Sequence, residues 1–220
     1  MSKFYSGVKK LLGGLIRRLY RVRIIGAENE PTDGAFIVCS NHLSNHDVLI
    51  LFSSLKRQLR FLAKAELFKV PLLKQFVSAL GAYPIKRGSS DLAALKKTIS
   101  LLNDGQVVGF FPQGHRFPGV HPVETEVQSG VGLVTAKAKA RVLPVLIETK
   151  GFKVKMFRKT VVRIGKPIEF EQYGELQGNK NDYVTISQSI FKSICAMSEQ
   201  QCVLTDGKQN SETEKDEKIS

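Results

Sequence analysis

The sequence predicts an α/β chain led by a basic amphipathic helix, and three observations carry the prediction. Short apolar runs bounded by turn residues read as strands at 21–25, 35–39, 59–63, 81–87, 106–111, 142–147 and 161–164. Stretches of helical spacing lie among them, at 47–55, 65–80, 89–103 and 130–140, with a closing helix over 182–203. The first 25 residues hold Lys3, Lys9, Lys10, Arg17, Arg18, Arg21 and Arg23 and no acid.

In that leading segment Phe4, Val8, Leu11, Leu12, Leu15, Ile16 and Leu19 recur at three- and four-residue steps. This is the pattern of a helix lying in the headgroup region of an anionic membrane. Each Lys or Arg near such a surface contributes about 1 kcal/mol. The same stripe also fits a helix packed on its own domain. Gly13-Gly14 at its centre predicts a bend. Arg21-Val22-Arg23-Ile24-Ile25 then alternates as a first strand, followed by a turn with Pro31 and Asp33-Gly34.

Ala35-Phe36-Ile37-Val38-Cys39 reads as a buried strand and Val48-Leu49-Ile50-Leu51-Phe52 as the body of a helix. The octet between them, Ser40-Asn41-His42-Leu43-Ser44-Asn45-His46-Asp47, falls on a strand-to-helix turn, where side chains can face a cleft. His42 and Asp47 can meet if one lies in the turn and the other in the first helical turn. A carboxylate accepting from one imidazole nitrogen fixes the tautomer and leaves the other nitrogen as a base. The nucleophile would then come from the substrate and not from the protein. A blander reading makes Asp47 a helix cap and His42 a polar turn residue. His46 is read as a bystander.

Further along, Pro71 breaks the helical pieces at 65–80. Gly81-Ala82-Tyr83-Pro84-Ile85-Lys86-Arg87 is a strand ending in two cations, and the guanidinium of Arg87 suits a phosphate as well as it suits a solvated strand end. The helix from Ser89-Ser90-Asp91 buries Leu92, Leu95, Ile99 and Leu102 and stops at Asn103-Asp104-Gly105. Gln106–Phe111 runs as a strand into Pro112-Gln113-Gly114-His115-Arg116, and a polar loop with His121 follows at 117–129. Gly130 and Gly132 open the next helix, permitting close packing or anion approach. Lys150 to Lys159 is a basic turn, and from Thr205 the composition offers almost nothing to bury, which predicts a disordered tail. The organisation expected is therefore a membrane-associating helix over 1–25, one domain over 26–204 and a polar tail over 205–220.

The formal net charge of +13 in 220 residues calls for a polyanionic partner: nucleic acid, an anionic membrane, or phosphorylated substrates and acidic carriers. With 8% aromatic residues and no Trp, base stacking is disfavoured, so nucleic acid is not expected. Cys39, Cys195 and Cys202 form neither a metal-spaced cluster nor an even disulfide set, which suits a reducing cytosolic setting. The four histidines show no metal-ligand spacing, so no metal is expected. No window reaches the roughly 18 consecutive apolar residues that a spanning helix needs.

Asn41-His42-x-x-x-x-Asp47 resembles the first motif of the glycerolipid acyltransferase family. Gly81 to Arg87 is similar to its second motif, with Arg87 at the position that engages the acceptor's phosphate. Phe111-Pro112-Gln113-Gly114-His115-Arg116 resembles its third, usually Phe-Pro-Glu-Gly-Thr-Arg. Here Gln113 stands for Glu and His115 for Thr, while Phe111, Pro112, Gly114 and Arg116 match. Val142-Leu143-Pro144-Val145-Leu146-Ile147 is similar to the fourth, an apolar strand with an internal proline.

The resemblance implies a mixed central sheet flanked by helices and an enzyme that moves a fatty acyl group onto a lysophospholipid hydroxyl, 1-acyl-glycerol-3-phosphate first among them. Its donor would be an acyl carrier protein or coenzyme A thioester, with no further cofactor. His42 and Asp47 would be catalytic; Asn41, Arg87, Gln113, Gly114 and Arg116 would bind substrate. The expected location is the cytoplasmic face of a membrane, peripheral or monotopic. Because Gln113 and His115 depart from the motif, an acyltransferase with another acceptor is an alternative, as is a non-enzymatic basic membrane-binding module.

Overall fold

The structure, a computed structural model, describes residues 3–79, 81–85 and 91–200. Among these, the strands are β1 (Val22–Ile25), β2 (Phe36–Ser40), β3 (Leu59–Lys64), β4 (Ala82–Ile85), β5 (Val107–Phe110), β6 (Arg141–Thr149) and β7 (Thr160–Ile164). The helices are α1 (Lys3–Leu19), α2 (Asp47–Ser54), α3 (Pro71–Ala79), α4 (Asp91–Asn103), α5 (Gly130–Ala138) and α6 (Lys180–Cys195). The strands form one sheet in the order β1-β7-β6-β2-β5-β3-β4. Every neighbouring pair is parallel except β6 with β7. The sheet is therefore mixed, as expected, with β1 and β7 running against the other five.

All five residues of β2 are buried, because this central strand has a layer on each face. Alternation along it sends Phe36 and Val38 into one core and Ile37 and Cys39 into the other. The first core is closed by Ile16 of α1 and Ile50, Leu51 and Phe52 of α2. The second is closed by Leu101 and Leu102 of α4, Val131 and Val134 of α5, and Ile186, Ile190 and Ile194 of α6. Burial lifts the Cys39 thiol far above its ordinary range.

Three expectations are corrected. First, α1 runs unbroken through Gly13-Gly14, where a bend was expected. Gly13 faces α2 with room for a side-chain carbon, since a Cβ there would lie 3.8 Å from Ser53 Cα, and Arg17 Nη1 donates to Ser53 O at 2.8 Å. Second, Leu92 is 51% exposed in the first turn of α4, and the buried stripe runs through Thr98, Leu101 and Leu102. Thr98 can be buried because its hydroxyl donates to Ala94 O at 2.9 Å. Third, α6 starts earlier and ends sooner than the expected 182–203. Asn179 and Asp182 bond each other's backbone N–H in a capping box that sets its start. Residues 201–203, with the expected tail, lie outside the described residues.

Helix α1 packs one face on the domain. Ile16 and the following Tyr20 are buried in the first core, while Leu11 and Leu15 stay exposed. Among the described residues no helix is long and apolar enough to cross a membrane.

Candidate active site

The site is built where β2 stops. Its last pairing is Ser40 opposite Val145 of β6. Beyond that, the Asn41 amide takes over the ladder: Ile147 N donates to Oδ1 at 2.8 Å and Nδ2 donates to Ile147 O at 3.0 Å. Asn41, expected among the substrate-binding residues, is fully buried, and both ends of its side chain are engaged with backbone. By tying off the strand it fixes the point at which the chain leaves the sheet with His42.

Asp47 opens α2, but its carboxylate does not cap that helix. Its Oδ2 turns back and accepts from Leu43 N at 2.6 Å, Ser44 N at 2.7 Å and His42 Nδ1 at 2.8 Å. Two of those donors are backbone N–H groups, so the oxygen is an acceptor and the imidazole proton is assigned to Nδ1. Nε2 keeps the lone pair, and no protein group among the described residues bonds it. The blander reading, with Asp47 as a cap and His42 as a free turn residue, is thereby set aside. Asp47 Oδ1 is buried without a hydrogen-bond partner.

Phe111 supports the ring from beneath. The two planes stack with centroids 3.9 Å apart at 12°, and Phe61 lies behind Phe111 at 6.2 Å. The imidazole is left 16% exposed.

The loop after β5 is sewn onto the same turn. Gln113, 1% exposed, accepts His42 N–H on Oε1 at 2.6 Å and donates from Nε2 to Thr125 Oγ1 at 2.7 Å. Expected at the acceptor, Gln113 is committed at both ends to the framework of the turn. Phe117 N donates to His42 O at 2.9 Å. Arg116 is exposed, and its Nη1 donates to Asn45 Oδ1. Gly114 turns the loop at φ 74°, a conformation natural to glycine. His115 is exposed with its ring 4.3 Å from that of Phe117. His46 is exposed and neighbours the Tyr20 ring at 5.5 Å. Arg87 lies outside the described residues.

The structure thus brings His42, Asp47, Gln113, Gly114 and Arg116 to one edge of the sheet. Sequence reasoning assigned no role to Phe111, Thr125 or Asn45. Phe111 stood inside a quoted motif, whereas nothing in the spacing signals Thr125 or Asn45. Among the described residues no three His, Cys, Asp or Glu side chains are grouped to hold a metal ion.

A family model described as Acyltransferase matches residues 21–148. A Bacillus subtilis protein named 1-acyl-sn-glycerol-3-phosphate acyltransferase is 27% identical over 158 residues, covering 70% of this chain and 77% of that one. The chloroplastic 1-acyl-sn-glycerol-3-phosphate acyltransferase LPAT1 of Arabidopsis thaliana is 31% identical over 153 residues, covering 68% of this chain and 42% of that longer one. In three dimensions the chain is similar to the crystal structure of the 1-acyl-sn-glycerophosphate acyltransferase PlsC from Thermotoga maritima. The TM-score is 0.63 at 23% identity, over 89% of this chain and 83% of that one.

Proposed function

The chain belongs to the acyltransferase family, and on that premise we propose that it transfers a fatty acyl group from an acyl thioester to the free hydroxyl of 1-acyl-glycerol-3-phosphate, giving phosphatidic acid. The observation that carries the reading is the His42 Nδ1–Asp47 Oδ2 bond of 2.8 Å, which leaves Nε2 free as an acceptor. Relatives whose names specify this reaction support the choice of acceptor.

In the proposed step Nε2 of His42 takes the hydroxyl proton as the acceptor oxygen attacks the thioester carbonyl. A C–O bond forms, the C–S bond breaks, and the departing thiolate recovers the proton from Nε2. No acyl-enzyme is formed. Asp47 holds the ring in register and balances the imidazolium in between. Base assistance of this kind is worth about 10²–10⁴-fold. The remainder comes from positioning, with Arg116 and Arg87 on the acceptor's phosphate.

The donor is an acyl carrier protein or coenzyme A thioester. Both are anionic, as are the acceptor and the membrane on which it resides, which matches the +13 net charge. Helix α1 seats the enzyme peripherally on the cytoplasmic face, with Leu11 and Leu15 toward lipid.

The test is acyl transfer by the full chain from labelled acyl-carrier-protein and coenzyme A thioesters to a panel of lysophospholipids. Transfer to 1-acyl-glycerol-3-phosphate is expected, with a loss of at least about 10²-fold in His42→Ala while vesicle binding persists. Preference for another lysolipid would reassign the acceptor. Retained turnover in His42→Ala would overturn the assignment of the base, and no transfer to any acceptor would leave only a membrane-binding module.

A further inference from the structure

Four large apolar side chains stand in solvent around one corner of the fold. Leu11 (75% exposed) and Leu15 (53%) lie on α1; Met156 (55%) and Phe157 (67%) lie in the β6–β7 connection. Leu15 and Phe157 line the same shallow depression together with Arg18, Leu19 and Arg21. The connection is fastened to the helix, since Phe157 N donates to Leu19 O at 2.6 Å. Phe157 also adopts φ 62°, a left-handed conformation that a bulky residue rarely takes. A solvated turn gains nothing from an aromatic ring held out in that way, whereas a turn that meets an apolar phase does.

The charge around this tip points to the kind of phase. No acidic residue occurs between Glu148 and Glu169, and Lys155, Arg158 and Lys159 flank Met156-Phe157, all exposed. Cations around exposed apolar side chains complement an anionic lipid surface, where the charges meet headgroups and the apolar groups enter the acyl boundary.

The position of the tip has a consequence for the site. Thr149 of β6 lies opposite Thr160 of β7, and Ser40 of β2 opposite Val145 of β6. The 150–159 connection therefore leaves the sheet from the same edge as the His42 turn. Gly119, three residues past Arg116, donates to Phe152 O at 2.9 Å, and Tyr20 at the end of α1 neighbours His46. The tip, the end of α1 and the catalytic turn share one side of the molecule.

We propose that the Lys155–Lys159 tip is a second lipid-seating element, with Met156 and Phe157 entering an anionic phospholipid bilayer beside Leu11 and Leu15. Two seats fix orientation where one helix alone would allow rolling about its axis. They set the edge bearing His42 down on the lipid surface, where a membrane-resident acceptor presents its hydroxyl. This rests on the reading of α1 as the membrane-facing helix.

The chain has no Trp, so each introduced indole is a single reporter. Phe157→Trp, Leu15→Trp and, on α4 across the sheet, Leu92→Trp are compared on phosphatidylglycerol-containing and pure phosphatidylcholine vesicles. With anionic vesicles the emission at 157 and 15 is expected to shift to the blue and to be quenched by brominated lipid, while that at 92 does not change. An unshifted reporter at 157 beside a shifted one at 15 overturns the second seat and spares α1. Shifts at neither position overturn both, and a shift at 92 as well overturns the oriented seat. As a second readout, Met156→Ser/Phe157→Ser is expected to weaken partitioning onto anionic vesicles about tenfold or more while leaving turnover on detergent-dispersed acceptor unchanged. Unchanged partitioning overturns the proposal.

Discussion

Gln113 holds the backbone N–H of His42 on its Oε1 at 2.6 Å, across a sequence separation of 71 residues. The other end of the same amide donates to Thr125 Oγ1 at 2.7 Å, and that hydroxyl donates onward to Pro122 O at 2.7 Å. One polar relay thus runs from the polar loop to the residue proposed as the base. A carboxylate at 113 could still accept from His42 N–H, but the Thr125 hydroxyl would have to turn round and donate to it.

Gln113→Ala is expected to leave a buried N–H unpaired, at about 1–3 kcal/mol, and to lower kcat more than it raises KM. Gln113→Glu is expected to stay closer to the parent, because Thr125 can re-aim its hydroxyl. Urea unfolding and steady-state kinetics of both variants check this. Equal damage by the two substitutions would argue against the relay.

Asp47→Asn keeps the shape but removes the charge that balances an imidazolium. If the amide oxygen takes the Oδ2 position, Nδ2 falls where Oδ1 is now buried without a partner. Turnover is expected to fall at least about 10²-fold, with a stability loss of about 1–3 kcal/mol. Activity near the parent level at neutral pH would detach Asp47 from the chemistry.

Gly109 of β5 has no room for a side chain, since a Cβ there would sit 2.0 Å from Cε1 of Phe61. That ring backs Phe111, which in turn backs His42. Gly109→Ala is expected to cost about 1–3 kcal/mol by overpacking and to reduce kcat through the displaced stack. Adding Phe61→Leu should recover part of both, as read by thermal unfolding and initial rates.

Lys9 supplies a pH signature. Burial against α2 pulls its ammonium down from 10.5 to about 8, with Arg17 adding to the effect and Glu30 opposing it. Below about 8 the group is charged in both states and its desolvation opposes folding in full. Between about 8 and 10.5 the unfolded chain holds a proton that the folded one has released, so stability rises with pH. The melting temperature of the parent is therefore expected to climb relative to Lys9→Met across that window and to level off above it. A difference that does not vary with pH would place Lys9 in solvent.

Much of the fold was legible locally. The run Ala35–Cys39 reads as a buried strand, and the five-residue step from His42 to Asp47 allows the two side chains to meet across a turn, as they do at 2.8 Å. Periodicity was less reliable where burial depends on neighbours. Leu92 fits the helical stripe of α4 yet faces solvent, and Thr98 breaks the stripe yet is buried. An apolar residue is covered only if another element reaches it, and a hydroxyl can be buried once it has an acceptor.

The order of residues by itself determined the strands, the helices, the turn on which His42 sits and the net charge of +13. Those are properties of short windows, set by side-chain shape and the period of the backbone. Only the tertiary structure decided that Asn41 and Gln113 brace the turn from within and that Phe157 stands beside Leu15. Each of those outcomes depends on a distant partner: Ile147 for Asn41, His42 for Gln113, α1 for Phe157. The sheet order β1-β7-β6-β2-β5-β3-β4 is what brings them together. A polar side chain takes its role from the group that satisfies it, and that group is chosen by the fold.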